Sequence, residues 1–128
     1  MLSSVAPVPV IATADLSRAR AFYEEVLGFT PSDHEMPGGV TYRSGGGEFS
    51  IYVSEFAGTN KATAMSFRLS RADFDSTTAA LRAAGVAFDT FDAPGVTWQD
   101  GVAHMGDYRA VWFRDPDGNV LGVTQPPE

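Results

Sequence analysis

The sequence contains no cysteine, only one lysine and only two histidines among its 128 residues. Without a thiol, disulfide bonds, thiolate nucleophiles and Cys-based zinc sites are excluded. No apolar run approaches the ~18 residues that a membrane-spanning helix needs. The N-terminus lacks a basic segment followed by an apolar stretch, so we expect no secretory signal and a cytoplasmic location.

Negative charge dominates what remains, with a formal net charge of -7. An acidic surface repels phosphate groups, so neither nucleic acid nor an anionic membrane is an expected partner. Hydrophobic residues make up 44% of the chain, which is typical of soluble globular proteins. Length and composition therefore predict a single compact domain over residues 1–128.

The first half begins with a strand and a helix. Val5–Ala14 is apolar and rich in β-branched residues, which predicts a strand. Asp15 is a good helix N-cap, and apolar residues recur at helical spacing over Leu16–Leu27. Gly28 then follows at the position where a left-handed C-cap is favoured.

Glycine-separated strands follow this helix. Thr30–Glu35 is a weak strand candidate, and Val40–Ser44 and Glu48–Ser54 are stronger ones. The triple glycine Gly45–Gly47 supplies the turn between the last two strands. Apolar and polar residues alternate in the last strand, which predicts a half-buried sheet.

The second half repeats this order. Ala64–Leu69 reads as a strand, and Ser70 reads as the N-cap of a helix that ends before Gly85. Val86–Phe91 is predicted to be the next strand. The repetition indicates an internal duplication, with one module at about residues 5–56 and the other at about residues 62–125.

The chain ends in a predicted hairpin. Tyr108–Arg114 and Val120–Thr124 are strands joined across Asp115–Gly118, whose proline and glycine suit a tight turn. The polar residues of this turn, Asp115, Asp117 and Asn119, need no role beyond it. Asp92–Asp107 has no clear period and is interpreted as a loop, with a short extra strand around Val102–Met105.

Two segments resemble one known family. Asp15–Phe29 resembles the first helix of the vicinal oxygen chelate superfamily, and Phe113–Asn119 resembles its last hairpin. This group includes glyoxalase I, extradiol dioxygenases, fosfomycin-resistance enzymes and bleomycin-resistance proteins. The resemblance implies an α+β fold of two tandem βαβββ modules, which form an open U-shaped mixed sheet with the helices outside. It also implies a small-molecule ligand on the concave face and a homodimer.

The resemblance further implies where metal-using members place their ligands. Those positions fall on Val8, Ala64 and Gly122, with the remaining one near Ser50 or Tyr52. Valine, alanine and glycine offer no side-chain donor, so no metal and no other cofactor is expected. A relocated metal site is the alternative, for which the two histidines are His34 and His104 and the nearest carboxylates in the region of the fourth strand are Glu48 and Glu55.

The expected ligand site is apolar and aromatic. If Val111 and Phe113 face the second helix, Trp112 faces the cleft, where it offers a stacking surface to a planar or cationic molecule. Filling of the cleft or of a dimer interface is the structural alternative. No catalytic residue is assigned, and the candidate ligand-binding residues are Val8, Tyr52, Ala64, Arg68, Trp98, His104, Trp112 and Gly122.

The sequence therefore predicts a metal-free small-molecule-binding protein, closest to the bleomycin-resistance-like branch of the family. Such a protein would sequester an antibiotic-like or aromatic metabolite. The alternative is a glyoxalase-type lyase or isomerase with an unorthodox site, or a metal-free enzyme that uses His104 or Glu48.

Overall fold

The computed structural model describes residues 1–34 and 36–128 and has an α+β fold, as predicted. Within those residues, no helix has the length and hydrophobicity needed to cross a membrane. The elements in chain order are β1 Val10–Thr13, α1 Leu16–Arg20, a π-helix Ala21–Val26, β2 Gly39–Ser44, β3 Gly47–Val53, β4 Thr63–Arg68, α2 Arg71–Ala83, β5 Thr97–Gln99, β6 Val102–Met105, β7 Tyr108–Arg114 and β8 Val120–Gln125.

The chain forms two compact units. The first contains Met1–Asn60 and Pro116–Asn119, and the second contains Lys61–Asp115 and Val120–Glu128. Each unit has one mixed sheet, with strand order β1-β3-β2 in the first and β4-β8-β7-β6-β5 in the second. In each sheet, the strand before the helix pairs in parallel with the last strand of that unit.

Aromatic rings form the core of the first unit. Tyr23, Tyr42 and Phe49 are almost completely buried, and their ring centroids lie 5.4–6.0 Å apart. Tyr23 comes from the helical segment, whereas Tyr42 and Phe49 come from β2 and β3. Burial of these rings packs the helical face onto one side of the sheet.

The first helix has the predicted extent but not the predicted type. The Asp15 side chain accepts from the Arg18 amide at 3.1 Å, which confirms the N-cap. After Arg20 the helix widens, and the Leu27 amide donates to the Phe22 carbonyl at 3.0 Å, five residues back. The expectation of one α-helix over Leu16–Leu27 is therefore wrong, because Ala21–Val26 is a π-helix, in which Tyr23 is completely buried.

Three predicted strands are shorter than expected. Val5–Ala14 contributes only Val10–Thr13, because Pro7 and Pro9 have no N–H group for the ladder. Thr30–Glu35 contributes one bridge from Pro31 to Tyr42, and Glu35 lies outside the described residues. Val86–Phe91 is likewise reduced to one bridge, between Asp89 and Trp112, since β6 occupies the same edge of β7 further along.

The interpretation of Asp92–Asp107 as a loop is wrong. Most of it is a hairpin, β5–β6, that extends the sheet of the second unit, and the predicted strand Val102–Met105 is confirmed. The hairpin turns at Asp100 and Gly101, whose φ angles are 53° and 79°. Positive φ at both central residues is the geometry that an Asp-Gly pair favours.

The turn of the β7–β8 hairpin does more than reverse the chain. The Asp117 carboxylate accepts from the Thr13 hydroxyl at 2.5 Å, from the Ala14 amide at 2.8 Å and from the Arg18 guanidinium at 2.8 Å. Only 2% of its side chain is exposed. The interpretation of Asp117 as a turn residue alone is therefore wrong, because its carboxylate is a buried anchor for the start of the first helix.

Candidate ligand-binding site

One face of the second sheet brings several predicted site residues together. Trp112 on β7 pairs with Gly122 on β8, and Gly122 pairs with Ser66 on β4. Arg68 lies two residues beyond Ser66 and so points to the same face, and Trp98 reaches this face through β6. The side-chain alternation of Trp112 against the buried Val111 and Phe113 agrees with the expectation from sequence.

The remaining predicted residues are His104 and Ala64 in the second unit and Val8 and Tyr52 in the first. His104 pairs with Arg109, whose guanidinium stacks on Phe74 of α2, so His104 faces the helix side of the sheet. Ala64 falls at a register shift between β4 and β8 and has no partner in β8. Val8 and Tyr52 lie in the first unit, where they are 48% and 38% exposed.

Three aromatic rings converge on the face that carries Trp112. Phe91 meets Trp98 and Trp112 edge to face, with centroid separations of 5.2 and 5.1 Å, and the two indoles are 6.2 Å apart. Phe91 is nevertheless 49% exposed. These rings, the aromatic cluster, therefore present a partly open apolar surface that packing within the second unit does not cover.

A cavity of about 420 Å3 lies against the aromatic cluster. It has the size of ordinary small-molecule sites. A neighbouring cavity of about 540 Å3 shares Thr90 and Phe91 and reaches Trp98. The first cavity, the aromatic cavity, is lined by Lys61, Ala62, Thr63, Asp89, Thr90, Phe91, Trp112, Arg114 and Val120.

Gly122 fits closely beneath Trp112. A Cβ atom at this position would lie 3.1 Å from the Ser66 hydroxyl and 3.4 Å from the Trp112 indole nitrogen. Both distances are close to or below van der Waals contact. The bare backbone at Gly122 therefore lets the edge of the Trp112 indole approach the strand, and the same indole lines the aromatic cavity.

Three charged side chains line the aromatic cavity. The Arg114 Nε donates to the Asp89 carboxylate at 2.8 Å, and Lys61, the only lysine in the sequence, also lines this cavity. Among the described residues, neither Lys61 nor the terminal nitrogens of Arg114 make a further hydrogen bond. The wall thus carries two cations and one carboxylate that is already paired.

Sequence reasoning did not single out Phe91, Lys61, Asp89 or Arg114 as site residues. Phe91 is the last residue of a predicted strand, and its ring contacts come from residues on other strands. The alternation of β7 offered one usable signal, since it places Arg114 on the same face as Trp112. The hairpin that carries Trp98 was signalled by Asp100-Gly101.

A second candidate site lies in the first unit. The His34 Nδ1 lies 2.7 Å from the Glu48 carboxylate, beside a cavity of about 450 Å3 that His34 lines. Hydrogen bonds from the Ser32 hydroxyl and then from His34 lower the pKa of Glu48 below its ordinary value of 4.5. Glu48 is therefore ionised near neutral pH and orients the His34 ring.

Comparison with known proteins identifies the family. The profile of the Glyoxalase/Bleomycin resistance protein/Dioxygenase superfamily matches residues 5–123. The chain belongs to this superfamily. No curated protein matches the sequence significantly.

Solved structures of the superfamily share the fold of this chain. A fosfomycin resistance protein, FosX, from Listeria monocytogenes has a TM-score of 0.70 at 14% identity, covering 97% of this chain and 92% of its own. A glyoxalase/bleomycin resistance protein/dioxygenase from Alicyclobacillus acidocaldarius has a TM-score of 0.69 at 16% identity, with 93% and 89% covered. A lactoylglutathione lyase from Agrobacterium tumefaciens has a TM-score of 0.66 at 18% identity, with 94% and 93% covered.

The positions that the family resemblance assigns to metal ligands do not fit a divalent cation here. The side chains of Val8, Ala64 and Gly122 have no donor atom, and the packing at Gly122 leaves no room for a longer side chain without movement. The Ser50 hydroxyl is 2.7 Å from that of Thr41 and is buried. In the part of the chain that the structure describes, no three His, Cys, Asp or Glu side chains are grouped to hold a metal ion.

Proposed function

We propose that this superfamily member is a metal-free small-molecule-binding protein that sequesters an aromatic, antibiotic-like molecule in the aromatic cavity. The convergence of Phe91, Trp98 and Trp112 beside a cavity of about 420 Å3 carries the proposal. The superfamily resemblance also predicts a homodimer, which stays a prediction.

The energetic basis is burial of apolar surface. Phe91 leaves about half of its surface exposed, and a planar ligand stacked on the cluster would cover that surface. Each 100 Å2 of apolar surface removed from water contributes about 2.5 kcal/mol before the costs of association. Because the rings already contact one another, little ordering is required on binding.

The two indole N–H groups provide a direct test. Titration with naphthamide, a neutral planar probe, is expected to shift the Trp112 indole signal in a heteronuclear NMR spectrum until it saturates. Replacing Trp112 with alanine is expected to lower the affinity for naphthamide by about tenfold, because a large stacking surface is lost. The remaining indole signal of Trp98 reports binding in that variant.

Cyclohexanecarboxamide is the matched control, since it has the same amide but no aromatic face, and weaker binding is expected. Phe22 is the control position, because it lies in the first unit on the helical segment and its replacement by leucine leaves the cavity intact. Absence of any saturable shift with naphthamide would contradict the proposal.

The His34–Glu48 pair favours an enzymatic alternative. An imidazole oriented by a carboxylate is a suitable general base, and a metal-free reaction of the glyoxalase type requires one. This alternative predicts turnover of the hemithioacetal of methylglyoxal and glutathione, falling by about a hundredfold in His34→Gln. If turnover survives this substitution, the His34–Glu48 pair is not the general base of the reaction.

A further inference from the structure

We infer that the ligand of the aromatic cavity carries an anionic group, such as a carboxylate or sulfonate, which is held by Arg114 and Lys61. The inference rests on the proposed function, because it assigns the chemical class of the molecule that the cavity binds. Its basis is that Arg114 and Lys61 line the same cavity as two rings of the aromatic cluster, Phe91 and Trp112.

The position of Arg114 suits a bifunctional ligand. Arg114 lies two residues after Trp112 on β7 and points to the same face, roughly 7 Å further along the strand. This spacing matches a bicyclic aromatic ring with a charged substituent at one end. The stacked ring would lie on Trp112 while its anionic group reached the guanidinium.

The hydrogen-bonding capacity of Arg114 is only partly used. Its Nε is bound to Asp89, which leaves the two terminal nitrogens to donate elsewhere. A guanidinium presents its donors in a planar fork that fits a carboxylate. Since 65% of the Arg114 side chain is exposed, water weakens this interaction relative to a buried pair.

Local charge stands out against the rest of the chain. The protein has a net charge of -7, yet the wall of this cavity contains two cations and one carboxylate. The surplus positive charge attracts an anion locally while the overall field repels it at long range. The anion must therefore be recognised at short distance.

A cationic ligand fits this cavity less well. An aromatic cage for a cation needs rings that stand apart so that their faces surround the charge. Here the rings contact one another at centroid distances of 5.1–6.2 Å, which leaves no gap between them. The paired Asp89 carboxylate is also neutralised by Arg114, so it offers little attraction to a cation.

The test compares three probes that share the naphthalene ring: naphthoate, neutral naphthamide and cationic naphthylmethylammonium. Binding is followed through the Trp98 and Trp112 indole signals of the intact protein. Naphthoate is expected to bind about tenfold more tightly than naphthamide, because charge-assisted hydrogen bonds are about twice as strong as neutral ones. Naphthylmethylammonium is expected to bind most weakly.

Two substitutions at the ion pair should act in opposite directions. Arg114→Met is expected to lower the affinity for naphthoate about fivefold and to leave the affinity for naphthamide unchanged. Asp89→Asn is expected to raise the affinity for naphthoate about threefold, because it removes a negative charge from the cavity and frees the Arg114 guanidinium. The opposite signs separate ligand recognition from loss of structure, since both substitutions break the same ion pair.

Arg71→Met is the matched control for net charge. Arg71 is exposed at the start of α2, which packs on the other side of the same sheet, and its removal should change naphthoate affinity by less than about twofold. Equal affinities for naphthoate and naphthamide would overturn the inference and leave the proposed function standing. No saturation with any of the three probes would overturn both.

Discussion

Replacement of Asp117 with alanine is expected to lower the free energy of unfolding by about 3 kcal/mol. The carboxylate accepts from the Thr13 hydroxyl, the Ala14 amide and the Arg18 guanidinium, and it is almost completely buried. Without it, the buried Thr13 hydroxyl keeps only the Asp15 carbonyl as an acceptor, and the start of the first helix loses its anchor. Urea denaturation followed by far-UV circular dichroism measures the change.

Two further variants separate the contribution of the Asp117 carboxylate to stability from other effects of the substitution. Asp117→Asn preserves the turn preference and one acceptor oxygen, so it should recover about half of the loss. Asp33 forms a 3.7 Å pair with Arg43 and is fully exposed, so Asp33→Ala should cost less than about 0.5 kcal/mol. Full recovery in Asp117→Asn would contradict the anchor, because turn preference alone would then explain the residue.

The contacts of Asp117 could not be predicted from the sequence, although its turn could. Asp115-Pro116-Asp117-Gly118 is a strong local signal, and it predicts the turn correctly. The partners of Asp117, however, lie 99–104 residues away in the sequence. Composition and spacing describe neighbours along the chain, so they carry no information about which backbone group a turn carboxylate will reach.

Local patterns predicted the elements better than their details. The apolar stripe of the first helix gave its start at Asp15 and its approximate end, but a stripe does not distinguish an α-helix from one that widens into a π-helix. Proline explains why the first predicted strand is short. Strand β6 is predicted, but β5 and the hairpin that joins them are not, although Asp100-Gly101 is a recognisable turn signal, because the two strands are short.

The residues of the candidate site could be predicted only where side chains alternate between the two faces of a strand. Alternation on β7 correctly separated Trp112 from Val111 and Phe113, and the duplicated order placed Gly122 on the last strand. His104 illustrates the limit, since its face depends on the register of a hairpin that was not predicted. Phe91 joins the cluster through rings on other strands, which only the fold brings together.

The closeness of Gly122 to Trp112 predicts the largest effect on binding. Gly122→Val is expected to abolish saturable binding of naphthamide, which corresponds to a weakening of more than about thirtyfold. A branched side chain here would push the indole into the cavity, since a Cβ alone would lie 3.4 Å from the indole nitrogen, so the probe would lose its space as well as the stacking surface that Trp112→Ala removes. Overpacking should also lower the free energy of unfolding by about 1–3 kcal/mol.

Smaller substitutions at the same position separate the two contacts. Gly122→Ala meets the Ser66 hydroxyl at 3.1 Å, and Ser66→Ala in the same chain relieves that contact while the indole contact remains. If the double variant regains stability but still binds naphthamide weakly, the position of the Trp112 ring controls binding. If Gly122→Val binds the probe like the unsubstituted protein, the cavity beside Trp112 is not the ligand site. The glycine would then serve only strand packing, because the indole could move without consequence.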